Sequence, residues 1–577
     1  MLKRFFVSLT AVLLACLLLF SLLPHLGRPY ALDTHDNTAE EWERVIAYVP
    51  LDDRTDNVED VLYLAEASGY RVLLPEGDVY ATRLDGQPLN RNGTPHGDRE
   101  ALFTWVREMD AQGCDLFLLS LDQLCSGGLV SSRAMSENEV LHFPDGDLSE
   151  CDAFDAFILS LADDENNRVY LFDSVMRLAS TVGYGGFGAA EYDALRAYGM
   201  AERPAAAPDA TLRELFSLYP LGADGKPVPS DLPQSVLQDY LAARARKLTL
   251  TAHFIEATKD LPQFRLLIGI DDSSNADNIQ QNELAYIREH LGENGTLLAG
   301  LDSLARLLIA RMEIDSTGTH IRTALRWFGG CEDLPSSEFD RYTLLETAEL
   351  YLRLFDAETV APEDADLQIL LMTAPADETK KSEYVASLLA ALTENAEKHV
   401  PTVLVEASNA AYGDELENAL YENARFASLL GYAGKYDQAV VTGVAFAMGF
   451  SRYLCLIGGE GTEASDEAQV RQLANSMALT RYILCARYPL NLYIESLGYD
   501  FNNLHPNRAD GERITEKLDA LFGDAAVCVE ENLSGSPLPV SLSPYAERTV
   551  ESVSVGKASF PWQRTFEISF PVEVRLA

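Results

Sequence analysis

Three times in this chain an apolar run of strand length ends in acidic residues. Val45-Ile46-Ala47-Tyr48-Val49-Pro50-Leu51 leads into Asp52-Asp53-Arg54, Leu116-Phe117-Leu118-Leu119-Ser120-Leu121 into Asp122, and Leu266-Leu267-Ile268-Gly269-Ile270 into Asp271-Asp272. Runs that stay apolar at consecutive positions suit strands buried on both faces, as in a parallel sheet covered by helices. Ligands of such folds bind where the strands end. Three strands delivering carboxylates to one edge therefore predict an acidic site there.

Further strand-like runs at 168–172, 321–327, 367–372 and 403–405 alternate with segments of helical apolar spacing at 58–67, 98–110, 235–258, 279–291, 343–355, 382–398 and 414–430. This alternation implies right-handed crossovers and a parallel sheet. The expected fold class is α/β, with a βα-repeat core closed like a TIM barrel or, alternatively, two doubly wound halves. At 577 residues the chain exceeds the size of a single core, so two or three domains are expected. The core is placed at 44–520, with a loop-rich excursion at about 201–233 that is rich in Pro, Ala, Gly and Asp. A small C-terminal β module is placed at 530–577, where Val550, Val553, Phe560, Trp562, Phe566, Ile568 and Phe570 follow one another without intervening helices. The Gly-rich stretch 184–188 lacks the trailing Lys of a phosphate loop and is expected to be a flexible loop near the site.

Lys3-Arg4 precedes an apolar stretch at 5–23, the pattern of a secretory signal or membrane anchor. Residues 1–31 are set apart on that ground, with cleavage after Ala31 or retention as a membrane anchor both open. The chain is expected to be exported, secreted or held on the outer face of a bacterial cytoplasmic membrane. Seven widely spaced cysteines beyond the leader, none in a Cys-x-x-Cys pair, predict neither a disulfide framework nor a structural zinc site. The formal net charge of -44 repels polyanions and speaks against nucleic acid as a partner. No acidic loop follows EF-hand spacing.

Several blocks resemble an uncharacterised bacterial family, domain of unknown function 4127. They are Tyr48-Val49-Pro50-Leu51-Asp52-Asp53-Arg54, Leu119-Ser120-Leu121-Asp122-Gln123-Leu124 with Gly127-Gly128-Leu129-Val130 and Ser132-Arg133, and Ile268-Gly269-Ile270-Asp271-Asp272. Looser matches are Gly300-Leu301-Asp302 with Leu307 and Arg311, and Tyr432-Ala433-Gly434. The family has no settled activity, so the resemblance implies positions and not chemistry. This chain departs from the family pattern at Thr55, where Pro is usual, at Ser303, where Glu is usual, and at Lys435-Tyr436-Asp437, where Trp-Asn-Thr is usual. Those losses leave a divergent or inactive copy as an open reading.

Paired carboxylates permit general acid and base work when their environments separate their pKa values. Neighbours on an extended segment point to opposite sides, so within Asp52-Asp53 and within Asp271-Asp272 only one residue is expected to face the pocket. The expected function is a carbohydrate-directed hydrolase in which Asp122 and Asp271 or Asp272, with Asp52, supply acid, base or nucleophile at strand ends. Asp53, Arg54, Gly127, Gly128, Arg133, Asp302, Lys435 and Asp437 are the expected substrate-binding residues, and Trp105, Tyr184, Phe187 and Trp327 are candidates for stacking on sugar rings. The expected partner is a carbohydrate or cell-wall-derived ligand, with no cofactor. The alternatives are a non-catalytic glycan-binding protein and a hydrolase that places Mg or Ca among Asp52, Asp122, Asp271 and Asp302. The scattered histidines form no zinc motif, and no Gly-x-Ser-x-Gly elbow is present. For each strand-end Asp the competing structural role is a helix N-cap.

Overall fold

The computed structural model describes residues 44–84, 89–134, 140–144, 146–180, 189–434, 438–458, 461–538 and 548–577. The leader at 1–31, the Gly-rich stretch 184–188 with Tyr184 and Phe187, and Lys435 and Asp437 lie outside the described residues.

The apolar runs form strands, and the strands collect into two open parallel sheets. The first contains β1 (Val45–Val49), β2 (Arg71–Leu73), β3 (Leu116–Ser120), β6 (Arg168–Val175), β7 (Phe264–Ile270) and β8 (Gly295–Ala299), in the order β2-β1-β3-β6-β7-β8. A hairpin of β4 (Val140–Phe143) and β5 (Gly146–Ser149) stands apart from it. The second sheet contains β9 (Arg322–Phe328), β10 (Glu358–Thr359), β11 (Leu367–Thr373), β12 (Thr402–Ala407) and β13 (Gly431–Ala433), in the order β10-β9-β11-β12-β13.

Consecutive apolar side chains are used on opposite faces, as strand geometry requires. Ile46, Tyr48, Leu118, Tyr170, Phe172 and Leu267 face a core shared with the second sheet, while Ala47, Val49, Phe117, Leu119, Val169 and Leu171 face a second core on the far side. The shared core is filled by helices α1 (Glu59–Ala67), α4 (Leu304–Thr317), α5 (Gln438–Gly458) and α6 (Glu463–Arg481). Helix α4 packs on α5, and α6 packs on α1. Two further helices bear on the site: α2 (Leu121–Ser126) and α3 (Gln234–Thr258). Helix α5 is long and apolar enough to cross a membrane by length and composition, but 83% of its most apolar window is buried inside the protein.

The barrel expectation is corrected by this topology. A closed barrel needs every crossover to advance in one direction. Here the chain steps outward from β1 to β2, then crosses back over β1 to β3, and the second sheet repeats that reversal from β9 to β10 to β11. Each sheet keeps two free edges, an arrangement that two doubly wound halves fit. In open α/β sheets such a reversal marks where a ligand crevice forms, at the carboxyl ends of the strands that diverge, here β1 and β3 in the first half and β9 and β11 in the second.

Helix α7 (Arg508–Leu533) runs on to Leu533, so β sequence at the C-terminus is confined to β14 (Val550–Val555) and β15 (Val572–Leu576), an antiparallel pair resting on α7 and α6. The connection between β14 and β15 reaches the end of β1, where Trp562 donates to Asp53. The excursion at 201–233 carries one short helix, Leu212–Leu218.

Candidate active site at the β1/β3 divergence

The chain leaves β1 through Leu51 and buries Asp52 completely. Asp52 accepts hydrogen bonds from the Arg54 backbone N–H (3.1 Å), from Arg54 Nε (3.0 Å) and from Asn57 Nδ2 (2.8 Å). Asp53 turns the other way, as the alternation of an extended segment requires, and accepts from the Thr82 N–H and from Trp562 Nε1, both at 3.0 Å. Burial pushes the Asp53 carboxyl up to about 6, against the opposing hydrogen bond from Thr82. Arg54 then spans the crevice. Its Nη2 donates to Asp302 Oδ1 at 2.8 Å, beyond the end of β8, and its Nη1 stands 3.7 Å from Glu567 Oε1.

Asp122 lies in the first turn of α2, but it does not cap that helix. Ser120 does, accepting from the Gln123 N–H at 3.2 Å. Asp122 instead takes the Lys247 ammonium at 2.7 Å, and the same ammonium is bonded to Asp173 of β6. Thr251 donates to the other Asp173 oxygen at 2.6 Å. Lys247 and both carboxylates are buried, and burial holds Asp173 above the ordinary carboxylate range against the pull of Lys247. One oxygen of Asp122, Oδ2, has no hydrogen-bond partner among the described residues. Gly127 ends α2 in the left-handed conformation, and Gly128 (φ 129°) brings the backbone so close to Thr82 that a Cβ there would meet its Oγ1 at 3.0 Å.

The remaining expected residues are also paired. Arg133 is bonded to Asp271, and Asp272 to Arg177. Asp271 also accepts the Asp272 backbone N–H at 2.9 Å. The fields of these side chains overlap. Asp302 feels Asp52, Asp56 and Asp271 besides Arg54, and burial, the largest cause, holds its carboxyl above the ordinary range. The four aspartates weighed as Mg or Ca ligands, Asp52, Asp122, Asp271 and Asp302, are each engaged by a guanidinium or ammonium group. Among the described residues no group of three or more His, Cys, Asp or Glu side chains is arranged to hold a metal ion. Trp105 lines a surface groove of about 470 Å³ with Glu76, Glu100, Glu108, His142 and Phe143, while Trp327 packs against the shared core.

Three site residues come from the β14–β15 connection, where sequence reading saw only strand texture. Trp562 is flanked by Arg54 and Arg564, whose guanidinium carbons lie 5.3 and 5.5 Å from its ring centroid. Glu567 is 4% exposed, and neither carboxyl oxygen accepts a hydrogen bond from any described residue. Burial pushes it up to about 7, a rise that Arg54 and Arg564 only partly offset. No local signal marks Glu567 in the sequence. The sequence pattern marks Trp562 and Phe566 only as strand residues.

The second half carries its own buried acid pair. Glu406, in β12, and Glu417 are both buried, burial holds both carboxyls above the ordinary range, and neither Glu417 oxygen has a hydrogen-bond partner among the described residues. Burial and the neighbouring carboxylate hold Glu406 above the ordinary range, and Tyr432 donates to its Oε2 at 3.2 Å. Gly434 sits against the Glu406 side chain and Thr480.

A family profile described as "Protein of unknown function (DUF4127)" matches residues 46–571. The chain belongs to this family. The DUF4127 match runs from β1 to the residue before β15, so it takes in both sheets and the connection that carries Trp562, Arg564 and Glu567. No curated protein and no solved structure matches the chain.

Proposed function

We propose that this DUF4127 protein is an exported, carbohydrate-directed hydrolase in which Glu567 and Asp302 work as acid and base across Arg54. The observation that carries this reading is the Glu567 carboxyl, buried, free of hydrogen bonds and pushed up to about 7, which keeps a transferable proton near neutral pH. Its partner Asp302 is more open, with a side chain 31% exposed, and is bonded to Arg54. One guanidinium contacts both, so the carboxyl oxygens stand no more than roughly 9 Å apart, inside the range of glycoside hydrolase acid pairs. Asp52 orients Arg54, and Asp122, Asp271 and Asp272, each neutralised by a base, shape the crevice instead of donating protons. Export is supported by the apolar stretch at 5–23.

That same neutralisation favours a second reading, a glycan-binding protein without turnover. One experiment separates the two. The purified protein is incubated with a panel of oligosaccharides, released reducing ends are counted, and binding is followed by calorimetry for the wild type, Glu567→Gln and Asp302→Asn. The hydrolase reading expects turnover in the wild type, its loss in both variants, and retained binding. Turnover that survives Glu567→Gln refutes the assignment of the acid, and binding without turnover in the wild type establishes the second reading.

A further inference from the structure

The crevice gathers four arginines from four separate elements of a chain whose net charge is -44. Arg54 follows β1, Arg133 follows the helix Leu129–Ser132, Arg177 follows β6, and Arg564 belongs to the β14–β15 connection. They lie within one another's fields. Burial holds both Arg133 and Arg564 below the ordinary guanidinium range, and each is pushed lower by Arg54 and Arg177. Crowding like charges in a half-buried cleft is unfavourable unless something of opposite sign answers it.

Three of the four are answered by the protein. Arg54 is bonded to Asp52 and Asp302, Arg133 to Asp271, and Arg177 to Asp272. Arg564 is different. Its one acidic neighbour is Glu567, at 3.9 Å, and that carboxyl holds its proton up to about 7. Arg564 donates no hydrogen bond to any described residue, and its guanidinium is held in place by the rings of Trp562 and Phe566. Arg177, which acts on Arg564 through its charge, is itself bonded to Asp272 and Tyr192. A guanidinium offers five N–H donors in a planar fork, and those of Arg564, whose side chain is 15% exposed, are not taken up by the described residues.

We infer that Arg564 binds an anionic oxygen group, a carboxylate or a phosphate, carried by the ligand of this crevice. This deepens the hydrolase reading and rests on it for the statement that the anionic group is borne by a glycan. The fork of Arg564 matches two oxygens of such a group in the bidentate manner typical of arginine. The cation–π contacts with Trp562 and Phe566 position the fork without consuming any donor. Trp562 also donates to Asp53 and faces Arg54, so the anion subsite and the proposed acid and base share one wall.

The test uses the full chain and three probes, glucuronate, inorganic phosphate and neutral glucose, titrated by calorimetry at low salt. The wild type is expected to bind at least one of the two anions and not glucose, and preference between glucuronate and phosphate tells a uronic acid from a phosphorylated sugar. Arg564→Met keeps the apolar stem on Trp562 and is expected to weaken anion binding by about tenfold or more. Arg508→Met, at an arginine whose side chain is 93% exposed, is expected to bind as the wild type does. The inference is overturned if Arg564→Met binds the anions as tightly as the wild type, or if the wild type binds neither anion at millimolar concentration. The wild type and Arg564→Met separate the two claims. Anion binding by a wild-type chain that hydrolyses no glycan of the panel leaves the subsite standing and removes only the hydrolase, whereas hydrolysis of neutral glycans by Arg564→Met at the wild-type rate, with unchanged anion binding, removes only the subsite.

Discussion

Replacing Glu567 by Gln should make this protein more stable as the pH rises. The carboxyl is 4% exposed and has moved from its ordinary 4.5 to about 7 because burial penalises the charged form. Its folded-state value is therefore above its unfolded one, so the stability tied to the proton is fully present below about 4.5 and is lost as the pH climbs through about 7. At about 1.4 kcal/mol per pH unit, the loss approaches ~3 kcal/mol once Glu567 is ionised. Gln mimics the protonated state at every pH, so the gap between variant and wild type should be near constant below pH 4.5, open up to pH 7 and level off above it. For a chain of 577 residues the unfolding entropy is roughly 1 kcal/mol/K, and ~3 kcal/mol corresponds to about 3 °C in Tm. Thermal unfolding of both proteins, followed by circular dichroism from pH 4 to pH 8.5, reads this directly. A Tm gap that stays flat within about 1 °C over that range, or that shifts against Gln as the pH rises, would show that Glu567 is not a buried acid and would remove the chief support for the proposed chemistry.

Lys247→Met should cost about 3–5 kcal/mol at pH 8, because it strands Asp122 and Asp173 in the core without their shared cation. The deficit should shrink toward pH 4, since Asp173 already favours its protonated form and takes a proton more readily once Lys247 is gone; unfolding in urea at the two pH values checks both the size and the sign. Gly434→Ala should destabilise by about 1–3 kcal/mol, as its Cβ would meet Thr480 Cγ2 at 2.7 Å and the Glu406 side chain at 2.9 Å. Gly523→Ala, inside α7 with open space around the new Cβ, should instead stabilise by about 1 kcal/mol, and urea midpoints measured side by side test the contrast.

What the sequence alone determined is local. The apolar run before Asp52 is β1, the run before Asp122 is β3 continuing into α2, and the run before Asp271 is β7, because side chains buried on both faces of a covered parallel sheet must be apolar at every position. The family blocks were legible for the same reason, since each is a strand end with its turn.

The direction of a crossover is not written into the strand it leaves. Nothing in β2 announces that the chain will return across β1, and that one reversal decides open halves over a closed barrel. The charge state of the site was equally hidden. Asp122 meets Lys247 across a sequence separation of 125 residues, and Asp53 meets Trp562 across 509. A carboxyl's affinity for its proton depends on what surrounds it in space, so the sequence could nominate Asp52, Asp122, Asp271 and Asp272 but could not tell that cations already hold them. It gave no hint of Glu567, an ordinary acid in an ordinary β segment. Only the packing of the C-terminal connection against the end of β1 removes that carboxyl from water and sets it beside Arg54.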